Sequence, residues 1–235
     1  MTGDGGASTL DGAAGNDALF GGGSADILIG GDGNDTLTGG SGPNQMSSGI
    51  GNDLYSVDQA GDNIVETAGN GTVDRTVTTV TYALAGGVYV EQSTTTLGAG
   101  LTALNPTGNE LTQSMTGIAE MNVLNGLGGA DTFVFSTELG AANVDTITDF
   151  SVVDDTIQLA ATAFSGLTRG LTLSAAKFAA NVTGQATDAF QRITFETDTG
   201  NLWFDVDGLG GAARVQFGDL AGGLAVANAD FFVLV

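Results

Sequence analysis

A nine-residue period runs through the first part of the chain and constrains its fold more than any other feature. From Gly3 to Val65 the sequence divides without a gap into seven nonapeptides, of which GGDGNDTLT at residues 30–38 is typical. The eighth position of every copy is apolar, and it holds Leu10, Leu19, Leu28, Leu37, Met46, Tyr55 and Ile64. One inward-pointing side chain per repeat is enough for a strand of about three residues. The period therefore predicts short strands joined by glycine-rich turns.

The sixth position supplies an oxygen ligand where each turn re-enters a strand. Its occupants are Ser8, Asp17, Asp26, Asp35, Asn44, Asp53 and Asp62. Positions one, two and four are mostly glycine, which leaves room for backbone carbonyls to converge on one point. Carboxylate and carbonyl oxygens together are the ligands that Ca²⁺ prefers. An ordinary β-turn would explain one GNDxL copy, but it does not explain seven copies in register.

This pattern resembles the RTX nonapeptide GGxGxDxUx, in which U is a large apolar residue. The resemblance implies an all-β fold, a right-handed parallel β-roll or β-solenoid closed by a C-terminal β cap. In such a roll two nonapeptides form one coil, so stacked loops lie eighteen residues apart. The resemblance further implies calcium ions between stacked loops, bridged by the sixth-position Asp residues and completed by backbone carbonyls.

Carried onto this chain, eighteen-residue stacking predicts two unequal columns of ligands. The first column is Asp17, Asp35 and Asp53, and its unbroken carboxylates predict two strong calcium sites. The second column is Ser8, Asp26, Asn44 and Asp62, and its alternating neutral residues predict weak or partial occupancy. The carbonyl ligands implied by the resemblance are those of Gly12, Ala14, Gly30, Gly31, Asp32, Gly33, Gly49 and Gly51 for the first column, and of Gly21, Gly23, Gly40 and Gly42 for the second.

Charge and composition exclude several classes of function. Twenty-seven acidic residues against five basic ones give a net charge of −22, which disfavours nucleic acid and anionic membranes as partners. The chain has neither Cys nor His, so it lacks disulfides, histidine metal sites and histidine-dependent catalytic triads. No apolar run reaches the length of a membrane span. We therefore expect no nucleic-acid partner, no membrane insertion and no enzymatic activity.

The repeats are interrupted after residue 65 and then resume. No Asp occurs from Arg75 to Ala130, and residues 66–107 are interpreted as a calcium-poor solenoid connector. Glu66 and Asp74 are either ligands at its edge or solvated turn acids. The nine-residue phase returns over residues 108–135, where Asp131 is the only sixth-position carboxylate. Because Asp149 follows eighteen residues later, we expect one more calcium site between Asp131 and Asp149, with a carbonyl of Gly128 and with Asp145 or Asp154 nearby.

The remaining region, residues 136–235, is expected to form the β cap. Eleven of the twelve Phe residues and the only Trp lie at or after Phe133, so this part can bury aromatic area that the repeats of residues 1–65 lack. The repeats must then depend on metal for stability. The terminal sequence ADFFVLV resembles a C-terminal signal for type I secretion, although a buried last strand would look similar. The loop FDVDGLGG, with Asp205 and Asp207, is either a cation site or a hairpin turn.

Two functional hypotheses follow. The first is a calcium-binding protein secreted by a bacterium and used structurally at the cell surface or in a fibre or matrix. Because the repeats begin at residue three, we expect no effector domain upstream and an open N-terminal end that promotes self-association. The alternative is the C-terminal secretion and folding module of a larger exoprotein, such as a protease, lipase or adhesin. In both cases the expected partners are calcium and the type I secretion machinery.

Overall fold

The computed structural model of the chain describes residues 1–96 and 103–235, so residues 97–102 of the predicted connector lie outside the described part. It divides into two compact units. Unit one comprises residues 1–115 and 127–129, and unit two comprises residues 116–126 and 130–235. The only helices in the described ranges are two short 3-10 turns, Ala175–Lys177 and Asn228–Asp230. Neither is long and apolar enough to cross a membrane.

Unit one consists of short strands separated by glycine-rich turns. They are β1 (Thr9–Asp11), β2 (Ala18–Gly22), β3 (Ile27–Asp32), β4 (Thr36–Gly40), β5 (Gln45–Ile50), β6 (Leu54–Val57), β7 (Asn63–Ile64), β8 (Arg75–Thr78) and β9 (Gln92–Thr95). From β1 to β8, odd- and even-numbered strands alternate between two parallel sheets, with orders β1-β3-β5-β7 and β2-β4-β6-β8, and β9 then pairs with β8. A tenth strand, β10 (Ser114–Thr116), lies at the boundary between the units in the sequence.

The register of these strands confirms the eighteen-residue stacking. Leu10 pairs with Leu28 and Leu28 with Met46 in one sheet, while Leu19 pairs with Leu37 in the other. The apolar residue of each repeat from Leu19 to Ile64 is buried between the sheets. The parallel, all-β solenoid predicted from the repeats is therefore the observed architecture.

The coils change length after β6. Tyr55 of β6 pairs with Thr76 of β8, twenty-one positions later. Thr76 then pairs with Ser93 of β9, seventeen positions later. Buried Thr and Ser side chains here replace the leucines of the earlier coils. The solenoid therefore continues past the nonapeptides with a sequence that no longer shows a nine-residue period.

The strands of unit two are joined by longer connections. Its strands are β11 (Val123–Leu124), β12 (Thr132–Phe135), β13 (Asp145–Ile147), β14 (Thr156–Ala160), β15 (Leu171–Thr172), β16 (Phe178–Asn181), β17 (Ile193–Glu196), β18 (Asn201–Phe204), β19 (Val215–Asp219) and β20 (Phe231–Leu234). One sheet has the order β15-β20-β14-β12 and the other β11-β13-β19-β18-β17-β16. Parallel pairs such as β12–β14 continue the solenoid arrangement, whereas β17, β18 and β19 pair antiparallel.

Aromatic side chains form the interior of unit two. Phe164 contacts both Phe204 and Phe217 edge-on, with ring centroids 5.4 Å and 4.9 Å apart. Phe135 meets Phe217 in the same manner at 5.2 Å. Such edge-to-face pairs stabilise beyond the burial of area alone. This unit thus has the apolar core that the sequence predicts for the C-terminal region.

The two ambiguous C-terminal segments are ordinary structural elements in this fold. The last strand, β20, is parallel to β14, and its Phe231 and Val233 are buried. The Asp205–Asp207 loop joins the antiparallel strands β18 and β19. In that loop the Asp205 carboxylate accepts the N–H groups of Asp207 and Gly208 at 3.1 and 2.9 Å. The loop is therefore a hairpin turn that fixes its own backbone.

Substitution within β3 tests how much the narrow core of unit one contributes. Leu28 is fully buried, so Leu28→Ala should lower the free energy of unfolding by about 2–5 kcal/mol. Ile27, its neighbour in the same strand, is 41% exposed, so Ile27→Ala should change it by less than about 1 kcal/mol. Urea unfolding in millimolar calcium measures both, and equal effects would contradict the assignment of the buried face.

Candidate metal centre

The first column forms a continuous hydrogen-bonded ladder along one side of unit one. The N–H of Asp17 donates to Oδ1 of Asp35 at 2.8 Å, and the N–H of Asp35 donates to Oδ1 of Asp53 at 2.6 Å. The N–H of Asp53 then donates to Oδ1 of Asp74 at 2.8 Å, and that of Asp74 to Glu91 at 2.7 Å. One carboxylate oxygen of each acceptor thus joins its loop to the preceding coil. Asp74 and Glu91 extend the predicted column by two members.

The second column is built in the same way. The N–H of Ser8 donates to Oδ1 of Asp26 at 2.7 Å, that of Asp26 to Asn44 at 2.9 Å, and that of Asn44 to Asp62 at 2.9 Å. All three acceptors are at least 95% buried. The neutral Asn44 therefore takes the same place in the ladder as the carboxylates on either side of it.

The asparagines next to the first column join the coils in the opposite direction. The N–H of Asn34 donates to Oδ1 of Asn16, and the N–H of Asn52 donates to Oδ1 of Asn34, both at 2.8 Å. In the pairs Asn34–Asp35 and Asn52–Asp53, the amide oxygen therefore accepts an N–H of the following coil and the carboxylate accepts one of the preceding coil. This explains why Asn and Asp stand together in GNDAL, GNDTL and GNDLY.

The ladders leave one oxygen of several carboxylates without a hydrogen bond. Oδ2 of Asp26, Asp35 and Asp53 is buried and has no donor within the described residues. A buried polar atom without a partner costs about 1–3 kcal/mol, and more when it is charged. Three such atoms on two sides of a narrow solenoid indicate places that a cation would stabilise.

The glycine at position one keeps this space open for a second oxygen. A Cβ placed on Gly30 would overlap both Oδ2 of Asp35 and the carbonyl oxygen of Ser48 in the next coil. Gly12 and Gly21 lie in equivalent surroundings. A Cβ on Gly21 would stand 2.7 Å from Oδ2 of Asp26 and 2.5 Å from the carbonyl oxygen of Gly39. Carboxylate and carbonyl oxygens from two coils thus face the same small volume.

The donor set is suited to a hard cation that accepts backbone oxygens. In residues 1–96 and 103–235 no three Asp or Glu side chains are grouped closely enough to hold a metal by themselves. Ions at the ladders would therefore need main-chain carbonyls to complete their coordination, and Ca²⁺ accepts such mixed shells of six to eight oxygens. The residues present fit calcium.

Burial disfavours negative charge in the ladders. It raises the pKa of Asp35, an effect that the N–H of Asp17 partly offsets and that the charges of Asp53 and Asp17 increase. At Asp74 burial raises the pKa to about 6, with the N–H of Asp53 again lowering it. Carboxylates of neighbouring coils, about 5 Å apart in a parallel sheet, also repel one another. A divalent cation would remove both penalties.

The other predicted carbonyl donors lie in the turns of the same repeats. Ala14 and Asp32 form an isolated parallel bridge, and the Asp32 carbonyl accepts the N–H of Gly15 at 2.7 Å. Positive φ angles occur at Gly31, Gly33, Gly40, Gly42, Gly49 and Gly51. The N–H groups of Gly23 and Gly128 donate to the carbonyls of Asp4 and Asn109. Their roles as metal ligands stay predictions.

Glu66 lies outside one of its two predicted environments, and its role as a metal ligand stays a prediction. Its carboxylate is 3% exposed, so it is not a solvated turn acid. Oε2 accepts the hydroxyl groups of Tyr55 and, at 2.6 Å, Ser48, while Oε1 accepts the N–H of Thr67 at 3.0 Å. Both oxygens are therefore engaged within the protein, next to the apolar column of unit one.

The spacing argument for Asp131 is wrong about the register. The coil is longer than eighteen residues here, and the N–H of Asp131 donates to Oδ1 of Asp155 at 2.9 Å, twenty-four positions later. Asp149 instead accepts the N–H of Gly126 at 3.1 Å. A Cβ on the same Gly126 would overlap Oδ2 of Asp131, so both carboxylates lie against this glycine. A cation site between Asp131 and Asp149 remains a prediction.

Asp145 of unit two also continues a ladder that the sequence does not indicate. Its Oδ1 accepts the N–H of Asn122 at 2.9 Å, twenty-three positions earlier. Burial raises its pKa to about 7. Asp154, the other residue expected near this site, is exposed and accepts the hydroxyl of Ser151 at 3.1 Å.

Together, stacked parallel coils and buried carboxylate ladders define a repeat protein of the RTX type. Residues 4–233 match the family described as Peptidase M10 serralysin C terminal. The chain therefore belongs to this family. The family is the non-catalytic repeat region of serralysin-type proteases rather than their catalytic domain. Its repeats are generally calcium-binding and typical of secreted proteins. A search of curated proteins gave no significant match.

The open space at Gly30 can be tested with one methyl group. Gly30→Ala should weaken calcium binding and destabilise unit one by about 1–3 kcal/mol, because the new Cβ overlaps Oδ2 of Asp35 and the Ser48 carbonyl. Gly5→Ala is the control, since a Cβ there meets no atom within 4 Å. Isothermal titration calorimetry and thermal unfolding measure both effects. If Gly30→Ala binds calcium as tightly as the wild type, the space beside Gly30 does not hold a calcium ion.

Asp145 gives a pH-dependent prediction for unit two in chelator. Its folded pKa of about 7 lies above the ordinary value of 3.8. Its contribution to stability is therefore fully present below about pH 4 and is lost as pH rises through 7, at up to ~1.4 kcal/mol per pH unit. Asp145→Asn keeps the acceptor for Asn122 and should flatten this slope, whereas the exposed Asp198→Asn should not. The free energy of unfolding is measured with urea at several pH values. The same dependence of this free energy on pH in the wild type and both variants would contradict this account.

Proposed function

We propose that this chain is a calcium-binding module of a protein exported by a bacterium, and that the coils of unit one fold when they bind extracellular calcium. One observation carries the proposal. Oδ2 of Asp26, Asp35 and Asp53 is buried without a hydrogen-bond donor among the described residues, and at Asp26 and Asp35 a backbone carbonyl of the next coil lies beside it. A bound cation is the partner that these oxygens require, and membership of a generally calcium-binding family supports calcium as that cation.

The energetics of unit one favour dependence on the ion. Each nonapeptide buries one medium-sized apolar side chain, whereas ordering the backbone costs about 1–2 kcal/mol per residue. A site with free calcium at ten times its dissociation constant contributes roughly 1.4 kcal/mol. Several sites along two columns therefore reach the scale of a whole domain's stability. Without calcium, like charge and low apolar content favour the unfolded chain.

Export and folding are linked in this proposal. Calcium is scarce inside a bacterium, so the acidic repeats stay unfolded and can pass through a narrow secretion channel. Outside the cell, millimolar calcium neutralises the carboxylate ladders and the coils form. The family's general association with type I secretion supports this route. The C-terminal residues 229–235 would be read as a signal before β20 takes its place between β14 and β15.

A structural, self-assembling role is the second candidate. Strand β1 lies at the end of its sheet in the strand order β1-β3-β5-β7, so it offers an edge for pairing with another chain. Residues 1–3, in contrast, bond to the edge of β2, where the N–H of Gly3 donates to the Phe20 carbonyl at 2.8 Å. Association through β1 would place the chain in a surface layer, fibre or matrix. As a module of a larger exoprotein, the chain would need no such contact.

Catalysis is not part of the proposed function. The zinc motif of serralysin-type proteases is built on histidine, and this chain contains none. The buried carboxylates act in the ladders that join the coils. Activity in the parent protein would then belong to another domain.

Calcium titration of the purified chain tests the main proposal. Circular dichroism should show β structure in unit one appearing only as calcium is added, and Asp35→Asn should reduce the number of bound ions. Asp32→Asn is the matched control because it also removes one charge, from an exposed side chain, and keeps the Asp32 carbonyl. A wild-type chain that is fully folded in EDTA and binds no calcium would refute the proposal. Light scattering of the same samples shows whether assembly accompanies folding.

A further inference from the structure

Asn44 differs from Asp26, the preceding carboxylate of its column, because both its side-chain oxygen and its side-chain nitrogen make hydrogen bonds, whereas Oδ2 of Asp26 has no donor among the described residues. Its Nδ2 donates to the carbonyls of Gly42 and Gly40 at 2.8 and 3.2 Å. The same nitrogen lies 3.1 Å from Oδ1 of Asp62 in the next coil. Three oxygens, two from the backbone of its own loop and one from a carboxylate, thus converge on one amide nitrogen, which is buried with the side chain.

This nitrogen occupies the position that a carboxylate oxygen has in the other loops. A Cβ on Gly39, at position one of the Asn44 repeat, would overlap Nδ2 of Asn44. In the same way, a Cβ on Gly30 would overlap Oδ2 of Asp35. The equivalent oxygens of Asp26, Asp35 and Asp53 have no donor among the described residues, whereas Asn44 has three acceptors. The loops therefore have the same geometry, but the Asp loops have an oxygen without a donor, whereas the Asn44 loop has a nitrogen with its acceptors in place.

We infer that the side-chain amide of Asn44 takes the place of a calcium ion in its loop. The two N–H groups supply the partial positive charge that carbonyl and carboxylate oxygens require, so no ion is needed or admitted there. The inference rests on the proposed function and refines it, because it assigns one rung of the second column as independent of metal. Asp62 is then held by the Asn44 amide rather than by an ion shared with that loop.

A second buried amide supports the same reading in the part of unit one that has no Asp. Nδ2 of Asn109 donates to the carbonyls of Ala85 and Val88, both at 2.9 Å. Nε2 of Gln113 donates to Oδ1 of Asn109 at 2.7 Å, and both side chains are 1% exposed. The Asn109 amide nitrogen therefore joins its own segment to two backbone carbonyls of an earlier segment, in a stretch where Asp is absent. Metal-free rungs of this kind explain how the solenoid can continue through the Asp-free stretch.

The test converts the amide into a carboxylate. Asn44→Asp should bind one more calcium ion per chain than the wild type, counted by native mass spectrometry and by equilibrium dialysis with radioactive calcium. The matched control is Asn34→Asp, which makes the same charge change at an exposed side chain and should add no ion. Asp35→Asn is the reverse exchange and should bind one ion fewer than the wild type.

The outcomes separate the inference from the function beneath it. If the wild type binds calcium but Asn44→Asp adds no ion, the inference is wrong and the proposed function stands. If the wild type binds no calcium, the proposed function fails and the inference fails with it. If Asn44→Asp does not fold under any condition, Asp35→Asn is the test that remains. An unchanged number of bound calcium ions in Asp35→Asn would then contradict the claim that an amide takes the place of an ion. An additional ion in Asn44→Asp but not in Asn34→Asp supports the inference.

Discussion

The solenoid depends on one repeated interaction, in which an Asp side chain accepts the backbone N–H of the preceding coil. This bond uses only one carboxylate oxygen, as between Asp17 and Asp35. At Asp26, Asp35 and Asp53 the second oxygen is buried, and no protein donor within the described residues reaches it. Stacking more coils multiplies both the bonds and the buried charge. In the proposed function, positive charge beside those second oxygens, from a cation or from an amide, stabilises the stacked coils.

The two units solve the problem of burial in different ways. Unit two packs Phe side chains edge-to-face around Phe164 and Phe217, and such a core does not depend on ions. In the nonapeptide part of unit one, each repeat contributes one apolar side chain to the space between the two sheets, and a few further apolar residues, among them Val57 and Leu84, extend this core. The ladders of Asp, Asn and Glu bury polar groups beside it. The proposed function therefore assigns ion-dependent folding to unit one and ion-independent folding to unit two.

Much of the nonapeptide part of unit one, residues 3–65, is predictable from the sequence because its coils have the same length. The eighteen-residue spacing fixes the pairing of Leu10 with Leu28 and identifies both columns without structural information. It fails once the coil length varies, which is why Asp74, Glu91, Asp145 and Asp155 enter the ladders without a sequence signal. The repeat also does not indicate that one carboxylate oxygen of an Asp accepts a backbone N–H, because this hydrogen bond depends on how closely the coils stack. The environment of Glu66 is the clearest example of a contact that the sequence does not predict. Its partner Tyr55 is predicted only as a core residue, but in the fold the Tyr55 hydroxyl also donates a hydrogen bond to Glu66.

The central claim is that cations, rather than apolar burial, hold the ladders of unit one together. Amide hydrogen exchange at Asp17, Asp35 and Asp53 measures this directly, because these N–H groups donate to the carboxylates of the next coil. The account predicts strong protection in millimolar calcium and exchange near the unfolded rate in EDTA, while the amides of β14 and β18 in unit two remain protected in both. Equal protection of the three Asp amides with and without calcium would contradict it.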